Sequence, residues 1–190
     1  MKQESGELTA AQSLDIIAAM IREAKSNIRS NYFFFLFWGW VVALANLGVF
    51  VLQKLAVEQP YLVWAITIPA WIYTLARMVR GRKTQRATTH FDRISRWLWM
   101  TFGVVIFTLV FFGFKINYQL NAVLLVVAAI PTVVSGVILK FRPLVAGGAV
   151  FWVCGVVNFL IPMEAQSLIG AIAIVCGYLI PGYKLKSKEG

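Results

Sequence analysis

LNAVLLVVAAIPTVVSGVILK-FRP-LVAGGAVFWVCGVVNFLI, residues 120–161, decides the fold. Two apolar runs, each close to the ~20 residues a helix needs to cross a hydrocarbon core, are separated only by the Lys140, Arg142, Pro143 punctuation. Pro143 suits the opening of a second helix, where a missing N–H costs nothing. The two cations suit an interface better than a bilayer interior. The stretch therefore reads as a tight transmembrane hairpin.

Runs of the same kind lie on either side, at about 33–53, 61–79, 97–114 and 164–183. With 120–140 and 143–161 they give an expected all-α domain of six transmembrane helices over residues 32–190. Composition agrees: 59% of the 190 residues are hydrophobic, 14% are charged, and the mean hydropathy is +0.74. A soluble domain of this length needs more charge on its surface than that. The first thirty residues contain Glu4, Glu7, Asp15 and Glu23, and no small-residue cleavage pattern follows the first apolar run, so that run is expected to remain as a span.

The net charge of +10 suits nucleic acid in a soluble chain, but here the arrangement of the cations explains it. Of the 18 lysines and arginines, all but Lys54 and Lys115 fall in the N-terminal segment, the 77–96 region, the Lys140–Arg142 turn or the tail after Tyr183. In a six-span chain those four segments share one side, which the positive-inside rule makes cytoplasmic. Both termini are then cytoplasmic. Tyr32, Trp97 and Trp99 fall near that interface, and Tyr61 and Trp64 near the outer one. Trp71 and Trp152 sit near mid-span, as packing residues or as walls of an apolar site.

The second helix of each hairpin carries a weak echo: Ala65 to Pro69 (AITIP), Val127 to Pro131 (VAAIP) and Ala171 to Val175 (AIAIV). In that register Arg80, Arg142 and Lys186 are equivalent, as are Asn46 and Thr108. Three copies of one hairpin are one reading, since transporter folds often contain internal repeats. Chance matching among apolar helices is the other. Pro69 and Pro131 each remove a backbone hydrogen bond and are candidate helix kinks. Ala128, Thr132 and Gly136, and again Ala173 and Gly177, repeat a small residue every fourth position, a spacing that marks close helix contacts within or between chains.

Outside the spans, Thr9 with Gln12 forms a capping box for a helix to about Arg29. Leu14, Ile17, Ile21, Ala24 and Ile28 make its apolar stripe. Residues 1–31 are thus expected as a separate amphipathic helix, lying on the membrane, packed beneath the bundle or docking a partner. Between the second and third spans, Arg77, Arg80, Arg82, Lys83, Arg86, Arg93 and Arg96 face a single acid, Asp92. Such a cluster draws anionic lipid headgroups. A phosphate-binding loop is not present, since Gly81 stands alone there. Thr89 is a candidate cap for a short interfacial helix running into the third span.

Catalytic and metal chemistry find little footing. His90 is the only histidine, and with Asp92 it is spaced i, i+2, so on a helix the two point apart. Cys154 and Cys176 do not have the spacing of a zinc site. They lie at different depths and read as free thiols packed as small hydrophobes. No Asp, Glu, Lys or Arg is read as buried inside a span, which argues against proton- or sodium-coupled transport. The polar residues of the spans are Asn46, Asn117, Asn121 and Asn158, all toward the outer half, with Thr67, Thr101, Thr108, Thr132 and Ser135. Asn46, Trp71, Thr108 and Asn158 are the candidate pore or cavity lining. Interhelical hydrogen bonding is the commoner role for such groups.

The chain has the general look of small bacterial inner-membrane proteins, which lends no function. The expectation is a non-enzymatic regulatory, sensory or scaffolding protein, working through its cytoplasmic helix and basic loop, without cofactor, metal or nucleic acid. Its partners would be anionic lipid and either a second copy or a soluble protein. The alternative is a small channel or facilitator for a neutral solute or ion, not coupled to protons. An enzyme acting on lipid ranks last, for want of a nucleophile or acid.

Overall fold

A computed structural model describes residues 33–82, 90–116 and 119–187. The helix expected within residues 1–31, and Lys83, Arg86, Thr89 and Asn117, lie outside them. The described chain is helical throughout, without strands. α1 is Phe33–Lys54. A 3-10 helix, Pro60–Ile66, leads into α2, Thr67–Arg82. α3 is His90–Phe111, followed by a short 3-10 turn, Gly113–Ile116. α4 is Leu120–Ile138 and α5 is Arg142–Leu160. α6, Met163–Ser187, contains a π-helical turn at Val175–Leu179. Five of these, all except α2, are long and apolar enough to cross a bilayer. They mark a multi-pass membrane protein.

The second expected span departs from regular α geometry, and its prolines explain where. Pro60 opens the 3-10 segment, and Pro69 falls in the first turn of α2. Without an N–H, Pro69 cannot bond the carbonyl of Ala65, so the α ladder is weakened there. The chain before it winds as the tighter 3-10 form, and Thr67 Oγ1 donates to Trp64 O at 2.7 Å. The third helix starts earlier than the expected 97, taking in Arg93 and Arg96; long cationic side chains can reach an interface from within a helix.

The α4–α5 hairpin is packed backbone against backbone. A Cβ built at Gly148 would stand 3.0 Å from Val133 N and 3.1 Å from Ala129 O. At Gly155, one heptad on, it would meet Val126 N at 3.0 Å and Ala122 O at 3.1 Å. The two backbones are therefore in contact over at least two turns, and only glycine fits there. Ala128, Thr132, Ser135 and Gly136 are buried on the α4 side, so the small-residue spacing serves contacts within the chain. The turn between the helices closes with Lys140 N donating to Val137 O (3.0 Å) and Phe141 N to Gly136 O (2.8 Å). That is a Schellman cap, with Lys140 at φ 50° where glycine is usual.

α6 and α1 complete this unit. Phe151 of α5 packs against Gly177, and Gly39 of α1 lies against Leu179 and Tyr178. Phe35, Leu125, Leu144, Phe151, Ala173, Ile174 and Leu179 belong to one buried cluster. Trp99 and Phe102 of α3 pack against this cluster from one side, while α2 lies farther out, with Trp71 wedged between Trp38 of α1 (5.1 Å) and Gly103 of α3.

Candidate functional site

Two polar clusters lie within the α1, α4, α5 and α6 unit. The first forms where α4 and α6 begin and α5 ends. α5 closes with Ile161 extended and Pro162 next. The carbonyl of Asn158 would ordinarily accept from residue 162, but proline has no N–H to give. Gln166 replaces it: its Nε2 donates to Asn158 O at 2.9 Å and to Gln119 Oε1 at 2.7 Å, with Ile161 O a weaker 3.4 Å away. Asn121 Nδ2 spends its two hydrogens on Gln166 O (2.9 Å) and Asn46 Oδ1 (3.1 Å). Asn46 in turn donates to Val42 O at 2.9 Å. Gly170 makes room for all this, since a Cβ there would lie 2.6 Å from Asn46 Oδ1 and 2.8 Å from Asn121 Oδ1. Four helices are thus clasped by side-chain amides.

Asn158 stands apart. Its side chain is fully buried, yet neither Oδ1 nor Nδ2 has a hydrogen-bond partner among the described residues.

The second cluster lies toward the other end. Thr132 Oγ1 donates to Ala128 O at 2.6 Å and lies 3.1 Å from Tyr178 Oη. The threonine has only one hydrogen, so Tyr178 is the donor between them. The π turn carries Tyr178 into an aromatic box, with its ring 4.7 Å from Phe151, 5.7 Å from Phe35 and 6.5 Å from Trp99. Trp99 donates to Ser135 Oγ at 3.2 Å. π turns often occur where side-chain placement matters more than helix regularity.

The expected lining residues do not converge. Asn46 and Asn158 lie within the first cluster. Thr108 is exposed and donates to Val104 O on its own helix. Trp71 is at the periphery, and Trp152 is exposed on α5. Of the two proline kink candidates, Pro131 is inside α4 and Pro69 is at the 3-10 to α junction. Cys154 and Cys176 are free and half-buried.

Among the expected lipid contacts, Arg77 is engaged within the protein. Its guanidinium stacks 3.9 Å from the Phe33 ring and donates to Tyr73 OH at 3.3 Å. Arg80 and Arg93 are exposed and Arg96 is half-buried. Beside them Arg93, Ile94, Trp97, Leu98 and Thr101 of α3 line a shallow, almost wholly apolar groove of about 480 Å³. A smaller depression of about 200 Å³ lies at the opposite end, lined by Phe50, Gln53, Lys54, Val57, Pro60 and Glu164.

Gln119, Gln166 and Tyr178 were not among the sequence candidates. Pro162 carried a signal for Gln166, because a proline four residues after Asn158 leaves a carbonyl in need of a donor. A tyrosine in mid-span likewise needs a partner for its hydroxyl. No protein-family model, curated protein or solved structure matches this chain.

Proposed function

We propose that this chain is a non-enzymatic six-span protein of the bacterial inner membrane, with both termini cytoplasmic, acting as a scaffold or regulator through its basic end. What carries the reading is how the interior polar groups are used. Apart from Asn158, the amides and hydroxyls of the two clusters are bonded to each other or to backbone, so they clasp helices rather than line a path. The open surface is on α3, whose apolar stretch has none of its residues buried, beside Arg80, Arg93 and Arg96. That arrangement suits gathering anionic lipid, at about 1 kcal/mol per cation near the surface, with residues 1–31 as the second contact region.

The sixth span would be α2 with its 3-10 lead. Seven residues at ~2.0 Å and sixteen at ~1.5 Å reach ~38 Å, against a hydrocarbon core of ~30 Å. The division of cations around Lys54 and Lys115 supports the orientation. The three-hairpin reading gains support at its aligned positions. Pro69 stands at a 3-10 to α junction, Pro131 inside α4, and Val175 at the first residue of the π turn. The first and third mark departures from regular helix, while α4 runs on unbroken through its proline.

Asn158 favours a second reading, a small channel or facilitator, because an unpaired buried amide is what a passing polar solute would meet. Flux separates the two. Liposomes holding the purified protein should take up rubidium and glycerol no faster than empty ones. They should also enrich anionic lipid around the protein, and less so when Arg80, Arg93 and Arg96 are all replaced by Gln. Uptake above background that disappears in Asn158→Leu would replace the scaffold reading with the channel.

A further inference from the structure

The depression beside Lys54 has a chemistry that the two clusters do not. It lies where α1 ends, where Pro60 opens the 3-10 segment and where α6 begins. It thus sits at the end of the bundle opposite the arginine-bearing ends of α2 and α3. A cation, Lys54, and an anion, Glu164, line it together, and neither has an ion-pair partner among the described residues. Gln53 also lines it, with its Oε1 buried and without a hydrogen-bond donor among the described residues, while its Nε2 is held on Tyr61 OH at 3.3 Å. A buried acceptor without a donor is a standing cost that a ligand N–H would relieve.

We propose that this depression binds a phosphoethanolamine group, with Lys54 on the phosphate and with Glu164 and Gln53 Oε1 on the ammonium. The site supplies one positive and one negative group, so it matches a zwitterion and not a simple anion. A primary ammonium carries three N–H donors, which the Gln53 oxygen and the Glu164 carboxylate can accept. A choline group has none. Choline recognition relies instead on an aromatic cage, and Phe50, the single ring here, lies 5.8 Å from Lys54 Nζ. The volume of about 200 Å³ is below the ~300 Å³ at which drug-sized ligands begin to be held, which limits the occupant to something of headgroup size. Val57 and Phe50 leave the mouth partly apolar, as an ester-linked headgroup at an interface requires. The proposal depends neither on the scaffold reading nor on the orientation in the membrane.

The test uses the full chain in detergent with an equimolar mixture of phosphatidylethanolamine, phosphatidylcholine and phosphatidylglycerol of identical acyl chains, with retained lipid read by native mass spectrometry. Phosphatidylethanolamine should be retained over each of the others by about fivefold, the upper range for partly exposed charge pairs. Glu164→Gln and Gln53→Leu should each abolish the preference over phosphatidylcholine. Lys54→Gln should lower retention of phosphatidylethanolamine, and Lys115→Gln, which removes a charge away from the pocket, should change nothing. Circular dichroism of each variant checks that the helices are intact. Equal retention of the three lipids by the unaltered chain would overturn the proposal, as would a preference that survives both Glu164→Gln and Gln53→Leu. A titration with soluble phosphoethanolamine distinguishes the sources. Displacement of the lipid at millimolar concentration assigns the site to the free compound, and no displacement assigns it to the lipid.

Discussion

The α4–α5 hairpin and the two helices α2 and α3 belong to one small protein, but they are held on different terms. In α4, 44% of the apolar stretch is buried against the rest of the chain, and in α3 none of it is. The hairpin brings backbone against backbone through Gly148 and Gly155. α2 and α3 are held by large side chains, with Trp71 lying over Gly103, Arg77 stacked on Phe33 and Trp99 against Tyr178 and Ser135. In lipid, exposed apolar surface carries no cost, so burial is not what drives helices together; close packing and interhelical hydrogen bonds are. By that measure the hairpin with α1 and α6 is the rigid frame. α2 and α3 lie at its edge, with most of their apolar surface turned outward.

The largest expected effect comes from spoiling the backbone contact. Gly148→Val should destabilise the protein by about 3 kcal/mol or more, because Val133 N and Ala129 O cannot yield to it as a side chain can. Gly103→Ala should cost only a few tenths of a kcal/mol, since the nearest atom is the edge of the Trp71 ring at 3.1 Å. Unfolding of both variants in mixed micelles measures the difference. Equal losses would mean that the contact through Trp71 is as unyielding as the backbone contact of the hairpin.

A second pair of variants works inside the frame. Gln166→Leu removes the donor that stands in for Pro162, and should cost about 1–3 kcal/mol by leaving Asn158 O and Gln119 Oε1 unpaired. Asn158→Leu discards an amide with no partners and should be neutral or stabilising, by up to about 1 kcal/mol. The same unfolding assay, run side by side, should therefore rank the two in opposite directions. A large loss at Asn158 would show that its amide has a partner after all, such as a bound water.

The smallest effect sharpens the account of the turn. Lys140→Gly should stabilise the hairpin by up to about 1 kcal/mol, because a side chain at φ 50° is strained and glycine is not. Ala56, at φ 54°, closes α1 in the same way, with Val57 N on Leu52 O at 3.1 Å, and should behave alike on substitution by glycine. A shift of the thermal midpoint in each variant checks this.

Much of this was legible in the sequence for a simple reason. A bilayer demands long apolar runs, and runs such as 120–140 and 143–161 need no tertiary knowledge to find. The Lys140–Pro143 turn was legible because few residues lay between two runs. The first cluster was half legible: Asn46, Asn121 and Asn158 could be placed at one depth. Their partners Gln119 and Gln166 escaped notice because they lie at helix ends, where a polar residue passes for loop. Thr108 and Trp71 were grouped with Asn46 for the converse reason. Depth is readable from position along a span, whereas rotation about the helix axis is not, when nearly every residue is apolar. The 3-10 winding before Pro69 was hidden because an apolar run looks the same in either helix.

The π turn of α6 has a consequence for how this chain can change in length. A π turn holds one residue more than the α turn it replaces, and it absorbs that residue locally. Helix on either side keeps its facing, so Gly170 can stay under the amides while Gly182 stays against Leu36. Shortening the chain by one residue within Val175–Leu179 should leave both flanks seated and lose mainly the inward aim of Tyr178. Elsewhere in a span a single-residue deletion turns everything beyond it by about 100°. Here the helix carries its own slack, a joint at which the sequence can lengthen or shorten without unthreading the bundle.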